Sequence, residues 1–192
     1  MLSLDAGKCY GPKGVGVLVM RHGISVSPHL FGGKQEGGLR PGTENTALIV
    51  GAVESLCIAQ SQYKERSENV AKLRDYFIQE LLRIDGCVLN GSRTERVANN
   101  VNISIKGIDS EFAVISLDER GISCATKSAC GGAKGDGSSV VLSITGDAIR
   151  AKETIRFTLG EETTLEELKK TAEILHSHVL QTREAHQKLT VM

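Results

Sequence analysis

The chain has 192 residues, and at 40% apolar content it can bury a real core as one large domain or one and a half smaller ones. Lysine plus arginine balance aspartate plus glutamate at 23 each, which leaves neither a basic stripe for nucleic acid nor a polybasic patch for a membrane surface. Five cysteines without a C-x-x-C pair indicate neither a disulfide framework nor a zinc knuckle, and with no signal-peptide pattern and no apolar run long enough to span a bilayer the cytoplasm is the expected compartment.

The start, MLSLDAGKCYGPKG, places Lys8 between Gly7 and the turn Gly11-Pro12-Lys13-Gly14, with no helix or strand expected ahead of it. Glycines there admit close approach of a ligand to the backbone, and a lysine on a rigid turn can bond covalently to a carbonyl group if its amine is partly desolvated. On residue type alone a solvated surface lysine is the plainer alternative. The phosphate-cradling pattern G-x-x-x-x-G-K-[ST] is absent. Next, Val15-Gly16-Val17-Leu18-Val19-Met20 is short, rich in β-branched residues and bounded by turn residues, which predicts a buried strand.

The loop GGKQEGGLRPGTEN follows, long enough without regular structure to imply a task. Its Arg40 and Thr43 offer a guanidinium and a hydroxyl suited to a phosphate or carboxylate. Thr43, Glu44 and Asn45 can cap a helix over 46–60, beyond which Val70, Leu73, Phe77, Ile78, Leu81 and Leu82 recur at helical spacing, as one long helix or two in sequence. Strands are expected at Cys87 to Leu89 and at Val101 to Ile105, where alternation puts Val101, Ile103 and Ile105 on one face. A short helix is expected from Ser110 to Asp118.

In ATKSACGGAKGDG, Cys130 stands among small residues in a glycine-rich stretch, with Lys127 and Lys134 near enough in sequence to favour its nucleophilic thiolate. Cys57 in VESLCIAQ reads as a structural thiol and Cys124 in GISCAT as a packed one, whereas Cys9 is left open. TIRFTLG alternates again, with Ile155, Phe157 and Leu159 on one side and Thr154, Arg156 and Thr158 on the other. The last helix opens with Thr163 and Glu166 at capping-box spacing and continues through Leu168, Leu175 and Val179. His176 and His178 diverge on that helix and the other histidines are isolated, so they are surface or packing residues and no metal site is expected. Helices alternating with strands indicate an α/β fold.

Taken in order, GKCYGPKGVGVL, GGKQEGGLRPGTEN, SAC and TIRFTLG resemble the cofactor-lysine segment, glycine-rich loop, persulfide cysteine and substrate-arginine strand of the cysteine desulfurases, which are pyridoxal 5'-phosphate enzymes of the class V aminotransferase family. The resemblance runs over nearly the whole chain. It implies the C-terminal part of a fold-type I pyridoxal-phosphate transferase, with residues 1–55 the end of the large cofactor domain and 56–192 a small α/β domain carrying the cysteine loop. Lys8 would hold the cofactor covalently and Cys130 would take sulfur from L-cysteine, leaving L-alanine and an enzyme persulfide. Arg156 would clamp the substrate carboxylate, and Thr43 would reach the cofactor phosphate of the other subunit of a homodimer. The persulfide would pass to an acceptor or scaffold protein for iron-sulfur cluster assembly or tRNA thiolation.

Two positions depart from the family pattern. Gly7 replaces the histidine common just before the lysine, and Asp5 replaces a small polar residue three before it. A carboxylate facing a phosphate is repulsive unless it turns away or pairs with a cation. The family's helix-end phosphate loop, ring-stacking histidine and pyridine-pairing aspartate have no counterpart here. The chain is therefore expected to be the C-terminal half of a longer enzyme, not a competent desulfurase alone. Selenocysteine lyase on the same fold and a non-catalytic dimerisation or binding module are the competing expectations.

Overall fold

Leu2 and Leu4 alternate with Ser3 and Asp5, and this segment forms β1 (Leu2–Asp5), antiparallel to β2 (Gly16–Val19) in a register from Leu2↔Val19 to Asp5↔Gly16. A strand thus does precede Lys8, contrary to expectation. Its four residues are too few for an alternation to stand out. The apolar run also differs from expectation. It forms a strand, but Val17, Leu18 and Val19 are exposed rather than buried, because a two-stranded sheet offers little to cover them.

The computed structural model describes residues 1–127 and 137–190. It divides into two units, Met1–Lys64 and Glu65–Met192. Helix α1 (Thr46–Leu81) is one continuous helix rather than two, opened by Asn45, whose side chain accepts from the N–H of Leu48 (3.2 Å). The boundary between the units falls within it.

In the second unit β3 (Cys87–Leu89), β4 (Asn100–Ile105) and β5 (Thr154–Thr158) make an antiparallel sheet with β4 in the centre. The predicted alternation holds: Val101, Ile103, Ile105, Ile155 and Phe157 are buried on one face. Against that face pack Phe77, Ile78 and Leu81 of α1, Ala113 and Leu117 of α2 (Ser110–Asp118), and Leu168, Leu175 and Val179 of α5 (Leu165–Thr190). Phe77 meets Phe157 edge to face, with centroids 5.2 Å apart.

Two short helices, α3 (Ser139–Thr145) and α4 (Ala148–Lys152), were not expected. Each is fixed by its ends: Ser138 accepts from the N–H of Val141, Asp147 accepts from those of Ile149 and Arg150, and Gly146 closes α3 at φ 69°. The cap of α5 is shifted by one residue from expectation. Thr164 and Glu167 form the reciprocal pair, with the Thr164 N–H donating to Glu167 Oε2 (2.8 Å) and the Glu167 N–H to Thr164 Oγ1 (3.3 Å). Among the described residues, no helix is long and apolar enough to cross a membrane.

Candidate active site

Lys8 sits in a single 3-10 turn, Ala6–Cys9, directly after β1. Asp5 caps the turn, its Oδ1 accepting from the Gly7 N–H at 2.9 Å, so its carboxylate is turned into its own backbone. The turn ends on Tyr10 in the left-handed region (φ 60°) and closes with the Gly11 N–H donating to the Ala6 carbonyl (2.9 Å). Gly11 is required by space. A Cβ there would lie 2.3 Å from Ser55 Oγ and 2.9 Å from the Ala6 carbonyl oxygen, so only glycine lets the lysine turn rest on α1. Lys8 itself is exposed, and its amine has no hydrogen bond or ion pair among the described residues. Thr43 is also exposed, just ahead of α1 in the same unit.

Arg156 belongs to the second unit. It lies at the middle of β5 on the side opposite Ile155 and Phe157, and it is half-buried on the wall of a cavity of about 300 Å³. Its Nε is buried and has no partner among the described residues. A buried donor left unpaired costs on the order of 1–3 kcal/mol, which an incoming acceptor would remove. The wall also carries Asn90, Asn102, Thr126, Lys127 and Ser138 and, among the described residues, no carboxylate.

Cys130 lies outside the described residues. The residues on either side of that segment are described, and both flanks line the Arg156 cavity. On the N-terminal side Ala125 forms a two-way backbone bridge with Arg156, followed by Thr126 and Lys127. On the C-terminal side the Ser138 N–H donates to the Ala151 carbonyl (2.8 Å).

The other thiols differ sharply. Burial pushes Cys87 up to about 12, and burial together with the charge of Asp118 pushes Cys124 up to about 11. Both are protonated at neutral pH, and Cys124 packs against the core as expected. Cys57 is exposed rather than structural, because it falls on the solvent side of α1, while Cys9 is half-buried. Among the described residues no group of three or more His, Cys, Asp or Glu side chains could hold a metal ion. The asparagines of the cavity, Asn90 and Asn102, had no motif to announce them. Their signal was strand parity, since Asn102 alternates with buried Val101 and Ile103.

An antiparallel sheet backed by helices, bearing an arginine at a cavity and preceded by a lysine on a glycine turn, is the architecture of one part of a fold-type I transferase. A solved NifS-like protein superimposes with a TM-score of 0.81 at 29% identity, over 92% of this chain and 45% of that one. The NifS-like protein from Rickettsia africae shares the fold, with a TM-score of 0.80 over 91% of this chain and 46% of that one, at 23% identity. The aminotransferase class-V family matches residues 1–171, and the chain belongs to that family, whose enzymes depend on pyridoxal phosphate. It is 40% identical over 176 residues to the cysteine desulfurase IscS of Dictyoglomus turgidum, covering 91% of this chain and 45% of that protein. It is 39% identical over 187 residues to the cysteine desulfurase IscS of Clostridium botulinum, covering 96% of this chain and 47% of that protein. The chain thus spans about half the length of the curated relatives it matches.

Proposed function

We propose that the chain carries the sulfur-transfer half of a cysteine desulfurase site acting on L-cysteine, in a homodimer that hands sulfur to an acceptor protein for iron-sulfur cluster assembly or tRNA thiolation. In this reading residues 1–55 end the cofactor domain and 56–192 form the small domain. The observation that carries it is the cavity of Arg156: an unpartnered buried donor stands there, and the residues flanking the Cys130 segment on both sides line the same wall.

The residues of the first unit fit attachment of pyridoxal phosphate. Lys8 offers an exposed, unpaired amine, and the Asp5 carboxylate is spent on its own turn, which lessens the repulsion a phosphate would meet. When bound, the cofactor supplies an electron sink for bonds broken at the substrate α-carbon. Lys8 holds the cofactor and then carries the proton at that carbon. Arg156 orients the substrate through its carboxylate, and Thr43 donates a hydroxyl to the phosphate held by the partner subunit. The Cys130 thiolate attacks the substrate sulfur. An S–S bond forms as the substrate Cβ–S bond breaks, the carbon takes a proton to become the methyl group of alanine, and the persulfide stays on Cys130.

The test supplies the chain with pyridoxal phosphate and L-cysteine, alone and mixed with the N-terminal half of the D. turgidum relative. Alanine release and persulfide are measured. Alanine is expected from the reconstituted pair. Lys8→Ala should remove both the visible absorption of lysine-bound cofactor and turnover, and Cys130→Ser should remove the persulfide while that absorption stays. Persulfide mapped to Cys9 or Cys124, or alanine release indifferent to Lys8→Ala, would overturn the reading.

A further inference from the structure

A row of three polar residues crosses the sheet of the second unit. Asn90, just past β3, donates its backbone N–H to the Asn102 carbonyl of β4 (2.8 Å), and Asn102 is the register partner of Arg156 on β5. All three line the same cavity.

The orientation of their amides follows from Arg150. Its Nε donates to Asn90 Oδ1 (2.8 Å) and its Nη2 to the Leu89 carbonyl (2.9 Å). A guanidinium can only donate, so the oxygen of the Asn90 amide must face Arg150 and its nitrogen must face away. That nitrogen donates to Asn102 Oδ1 (2.7 Å) and Ser104 Oγ (2.8 Å). With its oxygen engaged, Asn102 has only Nδ2, a donor, left to offer.

Arg156 beside it is also a pure donor, with Nε buried and unpaired. The other cation among the described residues of the wall, Lys127, is already bound to Glu111 Oε1 (2.8 Å). The buried, unpaired Nε of Arg156 and the free amide donor of Asn102 stand on adjacent strands at a cavity whose described wall carries no carboxylate, and such a pair is matched by one kind of guest. It must bring an anionic acceptor with two oxygens.

We infer that Asn102 is a second carboxylate-binding residue, its amide donor set beside the Arg156 guanidinium by Asn90 and Arg150, and that Asn102 and Arg156 together hold the carboxylate of an α-amino acid. The inference rests on the reading of Arg156 as the carboxylate holder. A lone guanidinium accepts an anion over a broad range of directions, whereas a second, neutral donor on the neighbouring strand selects one orientation of the carboxylate plane. Asn90 and Arg150 act through Asn102 and are positioning residues.

The experiment titrates the full 192-residue chain with L-alanine and, in parallel, with L-alaninamide, which lacks the carboxylate, and follows the side-chain signals of Asn102 and Arg156 by nitrogen-proton NMR. Both signals are expected to move with L-alanine and to stay put with L-alaninamide. In Asn102→Asp the L-alanine dissociation constant should rise about 10-fold or more, as for loss of one hydrogen bond to a charged group. The backbone spectrum of that variant reports whether it is folded, and the wild-type titration decides the matter even if it is not. An Arg156 signal that moves while Asn102 is silent overturns the inference and leaves the desulfurase reading standing. Silence at both residues overturns the carboxylate role of the pair. Both responding, with no alanine released from L-cysteine by the reconstituted enzyme, upholds the inference and sinks the desulfurase reading.

Discussion

Burial, with the charge of Asp118 beside it, takes Cys124 out of nucleophilic chemistry at neutral pH. Cys124 packs against the core with its thiol pushed up to about 11, and Cys87 is pushed up to about 12, so at pH 8 neither holds an appreciable fraction of thiolate. Iodoacetamide at pH 8 should therefore modify exposed Cys57 well before Cys87 or Cys124, with Cys124 gaining reactivity only as the pH nears 11. Peptide mass spectrometry over a time course reads this directly, and early labelling of Cys124 in folded protein would contradict the burial. Cys57 shows where residue-level inference from sequence fails. Its neighbours in the chain are apolar, but on a helix the neighbours in space are three and four residues away, and Ala52 takes the buried side while Cys57 faces solvent. Arg156 was legible for the converse reason, since parity along one strand is a local property that tertiary packing preserved.

Elements were legible where one period dominated. β4 and α2 match expectation because alternation and helical spacing are each unambiguous there. The cap of α5 slipped by one residue because Thr163, Thr164, Glu166 and Glu167 offer two pairs at the same spacing, and only the fold chooses between them. Helix α3 was missed because SVVLSIT is rich in β-branched residues, and its caps at Ser138 and Gly146 override that preference. The contact of α2 with α5 carries a measurable consequence. His178 is buried on α5 with Nε2 unpartnered among the described residues, its ring 5.4 Å from Phe112 of α2, and burial, then the positive charge of Arg120, lowers its pKa. The folded state disfavours the imidazolium, so the unfolded chain binds the proton more readily. Stability on this account is full above the ordinary histidine pKa near 6.5 and declines as the pH falls through it. Urea midpoints at pH 7.5 and 5.5 should show a larger acid loss in wild type than in His178→Phe; equal losses would remove His178 as the cause.

At the scale of the whole chain, the first unit is built on a sheet of only two strands, both of them edges. The pairing of Leu2 with Val19 and of Leu4 with Val17 puts four apolar side chains on one face, and Leu2, Val17 and Val19 are 57%, 38% and 49% exposed. Three or more strands, or a covering layer, are normally needed for such a face to stand alone in water. A second copy of the same strand pair can supply that layer, both by burying the apolar face and by taking up the free edge hydrogen bonds. Opposing charge does not prevent it, because the formal net charge is zero at pH 7. The 192-residue chain is therefore expected to associate with rising concentration. Replacing Val17 and Val19 together by threonine keeps the β-branched shape and strand preference while making the face polar. In sedimentation velocity the double variant should stay monomeric across a concentration series in which the wild type grows heavier. Equal association of the two proteins would show that the contact lies elsewhere and that the β1–β2 face is stable in solvent.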